Sequence, residues 1–186
     1  MRASSDTTPF RNLNALGVLA ICVVLLVAFY DQFVGKELPC PLCLLQRVAL
    51  IAVLTGLILN VIKGPKPDHY SIMIISAFFG AAVSLRQISL HIIPPTPGYG
   101  NPFLGMHYYT WAFLVFSAII LFTAIIAAYS TQNHRQGFIR FRDQNHLCKT
   151  AIITALALIA ANAVAAFAEC GPGECPSNPV SYWLFS

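Results

Sequence analysis

Charge is scarce in this chain. Of 186 residues, 10% are Asp, Glu, Lys or Arg, against about 25% in soluble domains. That shortfall argues against a soluble globular protein before any motif is read. No run of lysines or arginines is interleaved with aromatics, so the usual footprint of a nucleic-acid binder is missing. There is no internal repeat and no low-complexity tract. The long apolar stretches do not alternate with polar residues as membrane barrel strands do.

Apolar residues, by contrast, make up 57% of the chain, and the mean hydropathy is +0.68. A helix needs about 20 apolar residues to cross a bilayer. Five stretches qualify: 13–30, 42–62, 72–93, 109–129 and 150–168. In lipid the backbone must satisfy its own hydrogen bonds, which predicts helices. The expected fold is all-α and polytopic, a four-helix transmembrane bundle plus a fifth transmembrane helix. It forms one membrane domain over 1–186, with 169–186 as an external tail. The first span exits through Ala28-Phe29-Tyr30, too bulky for a signal-peptidase site, and reads as an uncleaved anchor. The fifth exits through Ala166-Phe167-Ala168, which does look cleavable, but its internal position makes it a span.

Basic residues set the orientation. Arg2, Arg11, Lys63, Lys66, Arg135, Arg140, Arg142 and Lys149 fall on one side and Lys36 alone on the other, with Arg47 and Arg86 inside spans. The excess of basic residues marks the cytoplasmic side. The N-terminus is therefore expected in the cytoplasm and the C-terminus in the periplasm of a bacterial inner membrane. Cys40, Cys43, Cys170 and Cys175 then share the oxidising face, where disulfides persist. Cys22 lies mid-span and reads as a small apolar residue. Cys148, at the cytoplasmic edge beside His146, reads as a free thiol.

The stretch "ELPCPLCLLQR", residues 37 to 47, opens the second span. Proline suits the first helical position, so Cys40 falls near the cap and Cys43 one turn in, on the same face. A helix N-terminus stabilises a thiolate. Arg47 follows four residues after Cys43 on that face, with Gln46 beside it. An arginine at the centre of a span costs at least about 2.5–3.5 kcal/mol, and less near the edge. Two readings of Arg47 stand. It snorkels to outer headgroups, or it faces an electron-rich, lipid-soluble ligand such as a quinone, whose carbonyl oxygens gain negative charge on reduction. A zinc site needs two more ligands at suitable spacing, and no second tight Cys/His pair accompanies this one.

In the tail "ECGPGECPSNPVSYWLFS", Cys170 and Cys175 enclose Gly171-Pro172-Gly173-Glu174. So short a loop restrains the unfolded chain weakly. An exchangeable bond explains the pair better than a staple, although passive loop closure stays open. Glu169 and Glu174 flank the thiols and disfavour thiolate formation. Tyr182, Trp183, Leu184 and Phe185 are expected to settle the tail at the membrane surface. His107, Tyr108, Tyr109 and Trp111 read as an outer aromatic belt, and His134 as part of a solvated cytoplasmic loop.

Cys-Pro-Leu-Cys-Leu-Leu-Gln-Arg at the outer start of a second span resembles the quinone-linked disulfide oxidase family DsbB, over roughly residues 10 to 130. The resemblance implies that Cys40 and Cys43 pass electrons to a quinone, ubiquinone or menaquinone, which Arg47 and Gln46 help to hold. The third-span stretch "SLRQISLHIIP" is similar to the family's helix end bearing a histidine near the quinone. That makes His91 a second quinone-side residue, with an interfacial histidine as the other reading. The family's second cysteine pair lies between the third and fourth spans, where this chain has no cysteine. Cys170 and Cys175, after an extra helix, would take its place, as in a DsbB-like subgroup. The implied partners are a periplasmic thioredoxin-like (DsbA-type) dithiol oxidase and the membrane quinone pool. Two alternatives are a vitamin-K-epoxide-reductase-like oxidase, in which the Cys-x-x-Cys comes late, and a non-enzymatic assembly factor with structural disulfides.

Overall fold

In the computed structural model, residues 8–92, 98–100, 102–129 and 137–185 are described. Arg2, His134, Arg135 and residues 93–97 lie outside them. Five long helices carry the chain: α1 (Thr8–Phe33), α2 (Pro41–Lys63), α3 (Pro67–His91), α4 (Tyr108–Ala127) and α5 (His146–Cys170). All five are long and apolar enough to cross a membrane, and the described residues form no strand, only an isolated bridge between Phe103 and Met106. The protein is an all-helical, multi-pass membrane protein.

Local chemistry marks the helix starts. Pro41 and Pro67 stand at the first positions of α2 and α3, where proline's missing N–H costs nothing. Asn145 caps α5 by accepting from the Cys148 N–H at 2.8 Å.

Helix α2 is the hub. It packs on α1 and α3 and touches α5, while α4 leans on α3 and α5 on α1. The core runs along these seams through Val18, Leu25, Val53, Leu54, Ala77 and Phe116, all fully buried. Gly80 lets α4 approach α3, because a Cβ there would collide with the Phe116 ring; small residues serve such seams in membranes. Phe78, Phe122 and Val164 point outward, 62–69% exposed, as lipid-facing side chains do. Since α1 and α4 barely touch, a gap remains between them at the end that carries Cys40.

The opposite end is closed. The Arg11 guanidinium donates to the carbonyls of Val61 (2.5 Å), Ile62 (3.1 Å) and Gly137. Asn60 donates to Asn14 at 2.9 Å, and its carbonyl oxygen is shared by the His69 ring and the Lys66 N–H. Cys148 is buried there as a free thiol, 3.8 Å from the Asn12 amide oxygen. Cys22 is a free thiol within the core.

Candidate functional site

Cys40 takes the cap of α2 in an extended conformation, and its sulfur accepts from the Cys43 N–H at 3.3 Å. The two sulfurs are 2.7 Å apart, so a disulfide requires them to close by roughly 0.7 Å. Cys40 is 6% exposed. Its shared hydrogen bond with Cys43, together with burial, pushes the Cys40 thiol well above the ordinary range. Cys40 is therefore the member of the reduced pair that keeps its proton.

Gln87 of α3 holds the pair from the other side. Its Nε2 donates to the sulfurs of Cys40 (3.3 Å) and Cys43 (3.5 Å), and its Oε1 accepts from Gln46 Nε2 at 2.9 Å. Both amides are buried, so each needs its partner. Gln87 was not among the residues singled out in the sequence. The signal was present: Ser84, Gln87 and His91 recur at spacings of three and four, a polar stripe on an apolar helix.

Arg47 lies one turn deeper, 8% exposed. Nη1 donates to Gln32 Oε1 at 2.6 Å and Nη2 to the Ala28 carbonyl at 2.9 Å, and the guanidinium carbon stands 5.3 Å from the centre of the Phe29 ring. Such an aromatic contact contributes about 2 kcal/mol when desolvated.

The gap between α1 and α4 forms a cavity of about 360 Å³. Its walls are mainly apolar, with Val27, Leu50 and Val115 among them. Cys43, Gln46, Arg47, Gln87 and Tyr99 supply its convergent polar groups. Tyr99 donates to the Leu38 carbonyl at 2.6 Å, and burial raises its phenol pKa, which keeps it a neutral donor. Of the residues read from the sequence, the structure thus gathers Cys43, Gln46 and Arg47 around one space. His91 stands behind the wall, stacked on Tyr109 at 5.6 Å, and His107 stacks on the same tyrosine at 5.2 Å. Tyr109 itself lines the cavity. Arg86 is exposed on the outer face of α3.

Cys170 and Cys175 form a disulfide at the end of α5. Gly171 ends the helix at φ +63°, and a Cβ there would strike Trp183. The tail folds back: Trp183 meets Phe167 edge-on, and Tyr182 accepts from Gln32 Nε2 at 3.2 Å. Gln32 therefore connects the tail to Arg47. Leu184 and Phe185 stay exposed. Among the described residues no hydrogen bond joins the tail sulfurs to Cys40 or Cys43. Glu169, beside Cys170, is 2% exposed and lies within electrostatic reach of Arg47, Cys43 and Tyr99.

Fold and site together define a helical, multi-pass membrane protein with a Cys-x-x-Cys pair at a helix cap beside an apolar cavity. Comparison with known proteins shows what the chain is similar to. Residues 10–100 match the family "Disulfide bond formation protein DsbB", and the chain is DsbB-like. Disulfide bond formation protein B of Verminephrobacter eiseniae (strain EF01-2) is 41% identical over 105 residues, 54% of this chain and 59% of the relative. Its counterpart from Acidovorax sp. (strain JS42) is 34% identical over 105 residues, 54% and 60% of the two chains. The chain spans about three fifths of the length of these relatives. No solved structure matches. The family match stops before α4, short of the 10 to 130 read from the motifs, and α5 with its cysteine pair lies beyond it.

Proposed function

We propose that this protein is a membrane thiol–disulfide oxidase that reoxidises a periplasmic thioredoxin-like dithiol partner and delivers the electrons to a membrane quinone. The observation that carries the proposal is that Cys43, Gln46 and Arg47 line one apolar cavity. Its volume and its few convergent polar groups suit a small ring with polar oxygens and an apolar tail. A quinone bound there supplies a two-electron acceptor that re-enters the bilayer once reduced. Gln46 and Arg47, each with N–H groups beyond those already engaged, are the donors available to its oxygens, and Tyr109, braced by His91 and His107, gives an aromatic wall.

The protein's own residues carry out the exchange. A partner thiolate attacks the Cys170–Cys175 disulfide, and the second partner thiolate releases the partner as a disulfide, leaving two tail thiols. These reduce a Cys40–Cys43 disulfide in the same way. Gln87 holds both sulfurs, and Cys40 retains its proton, which leaves Cys43 as the electron-rich sulfur facing the cavity. This reading places the cysteine end on the periplasmic side of a bacterial inner membrane, with the N-terminus in the cytoplasm.

Purified protein mixed with a quinone and either a reduced thioredoxin-like donor or a small dithiol tests the proposal. Cys40→Ser is expected to abolish quinone reduction with both donors. Cys170→Ser is expected to abolish it with the protein donor and spare it with the small dithiol. Undiminished reduction by Cys40→Ser would remove the inner pair from the pathway.

A further inference from the structure

Glu169 has no part in the exchange as written above, yet it is the most unusual group near it. It is the last residue of α5 but one, immediately before Cys170. It is 2% exposed, and its Oε2 has no hydrogen-bond partner. A buried, unsatisfied carboxylate oxygen costs free energy and calls for an explanation. The stabilising charge within reach is Arg47, while Cys43 and Tyr99 are its other titratable neighbours. Asp31 of α1 and Tyr182 of the tail share Arg47 with it, and Glu37 shares Tyr99. One carboxylate thus adjoins the tail pair in sequence and lies within electrostatic reach of Cys43 of the inner pair.

Transfer between two cysteine pairs moves protons as well as electrons. Only the thiolate attacks, and a tail thiol flanked by acidic residues does not ionise readily. A base at the junction removes that obstacle, and a buried base does so where water is scarce.

We propose that Glu169 is the proton acceptor for electron transfer from the tail pair to the inner pair; this rests on the relay proposed above. A tail thiol gives its proton to Glu169, and the resulting thiolate attacks Cys40. A bond forms between the tail sulfur and Cys40, the Cys40–Cys43 bond breaks, and Cys43 leaves as a thiolate. The second tail thiol then closes the Cys170–Cys175 disulfide and displaces Cys40, which takes up the proton that thiol releases. The tail pair loses two electrons and the inner pair gains two. One proton ends on Cys40 and one on Glu169, next to the Cys43 thiolate. Arg47 serves both ends of the step, offsetting the carboxylate before the transfer and the thiolate after it.

The test uses the full-length, quinone-free protein with the tail pair reduced and the inner pair oxidised. Alkylation and mass analysis follow the transfer in a single turnover. At about pH 7.5, Glu169→Gln is expected to slow it about a hundredfold, the scale of a lost acid–base group. Without the carboxylate the variant depends on direct ionisation of a thiol, so its deficit should shrink steadily toward about pH 9, above the ordinary thiol pKa. Glu169→Asp should recover part of the rate. A deficit that stays constant across that range, or no deficit, overturns the role of Glu169 while leaving the relay intact. No transfer at any pH in the unsubstituted protein would overturn the relay itself.

Discussion

The two ends of the bundle each bury an arginine, and they do so in opposite ways. Arg11 is 4% exposed and spends its guanidinium on three backbone carbonyls, two of them in the last turn of α2. Those carbonyls have no partner within the helix, and a cation is favoured there. The Arg11 Nε is buried with no hydrogen-bond partner. Arg47 is 8% exposed and also donates to α1, but it borders a cavity of about 360 Å³. Burial of charge therefore does not by itself mark a working site. Open, mainly apolar space beside the charge does, and here a cysteine sulfur borders the same space.

That contrast can be broken at several points. The largest effect is expected from Cys43→Ser, which should remove quinone reduction altogether, measured as turnover with a small dithiol. Residual turnover above background would show that the sulfur beside Arg47 is not the one that counts. Next, Arg11→Ala should remove three charge-assisted hydrogen bonds, although Gln144 and Ile139 still donate to the Val61 and Ile62 carbonyls, and destabilise the protein by about 3 kcal/mol, read from thermal unfolding in detergent. Its half-saturating quinone concentration should not move, because Arg11 sits at the closed end.

Arg47→Ala should do the reverse. We expect the quinone concentration for half-maximal rate to rise about tenfold, equivalent to about 1.4 kcal/mol. An unchanged requirement would make Arg47 a structural arginine like Arg11. Gln87→Leu should cost about 1 kcal/mol, the net worth of an ordinary hydrogen bond, seen as faster alkylation of the reduced pair.

The smallest effect concerns pH. The Cys40 thiol has its pKa raised on folding. The stability it contributes is thus complete below the ordinary thiol pKa of about 8.5 and is lost as pH rises through the higher folded value. Alkylation of Cys40 in the reduced protein should accordingly stay slow at about pH 8.5, where an unhindered thiol is half ionised. Reaction at the rate of a free thiol would contradict the shared hydrogen bond.

How far the sequence disclosed this arrangement differs between the two ends. Helices α1 to α5 were legible because each apolar run is continuous and long. Cys40, Cys43 and Arg47 were legible because spacings of three and four on one helix fix a common face. Gln87 was not, since its meeting with Cys43 crosses 44 positions and depends on how α3 rotates against α2. Arg86, on the same helix, is turned outward, and His91 stacks on Tyr109 of the cavity wall. Glu169 was read as a flanking charge that disfavours thiolate formation at Cys170. Its burial brings the end of α5 within reach of Arg47 on α2, a tertiary event with no local signature. The polar network around Arg11 and Asn60 went unread for the same reason.

One measurement reaches the centre of the account. A photoreactive quinone analogue, crosslinked to the purified protein and mapped by mass spectrometry, should label the walls of the cavity in α1 near Val27, α2 near Arg47 and α4 near Tyr109. Excess unmodified quinone should suppress that labelling. Labels gathered instead around Arg11 and Asn60, or spread over the lipid-facing side of α5, would contradict it.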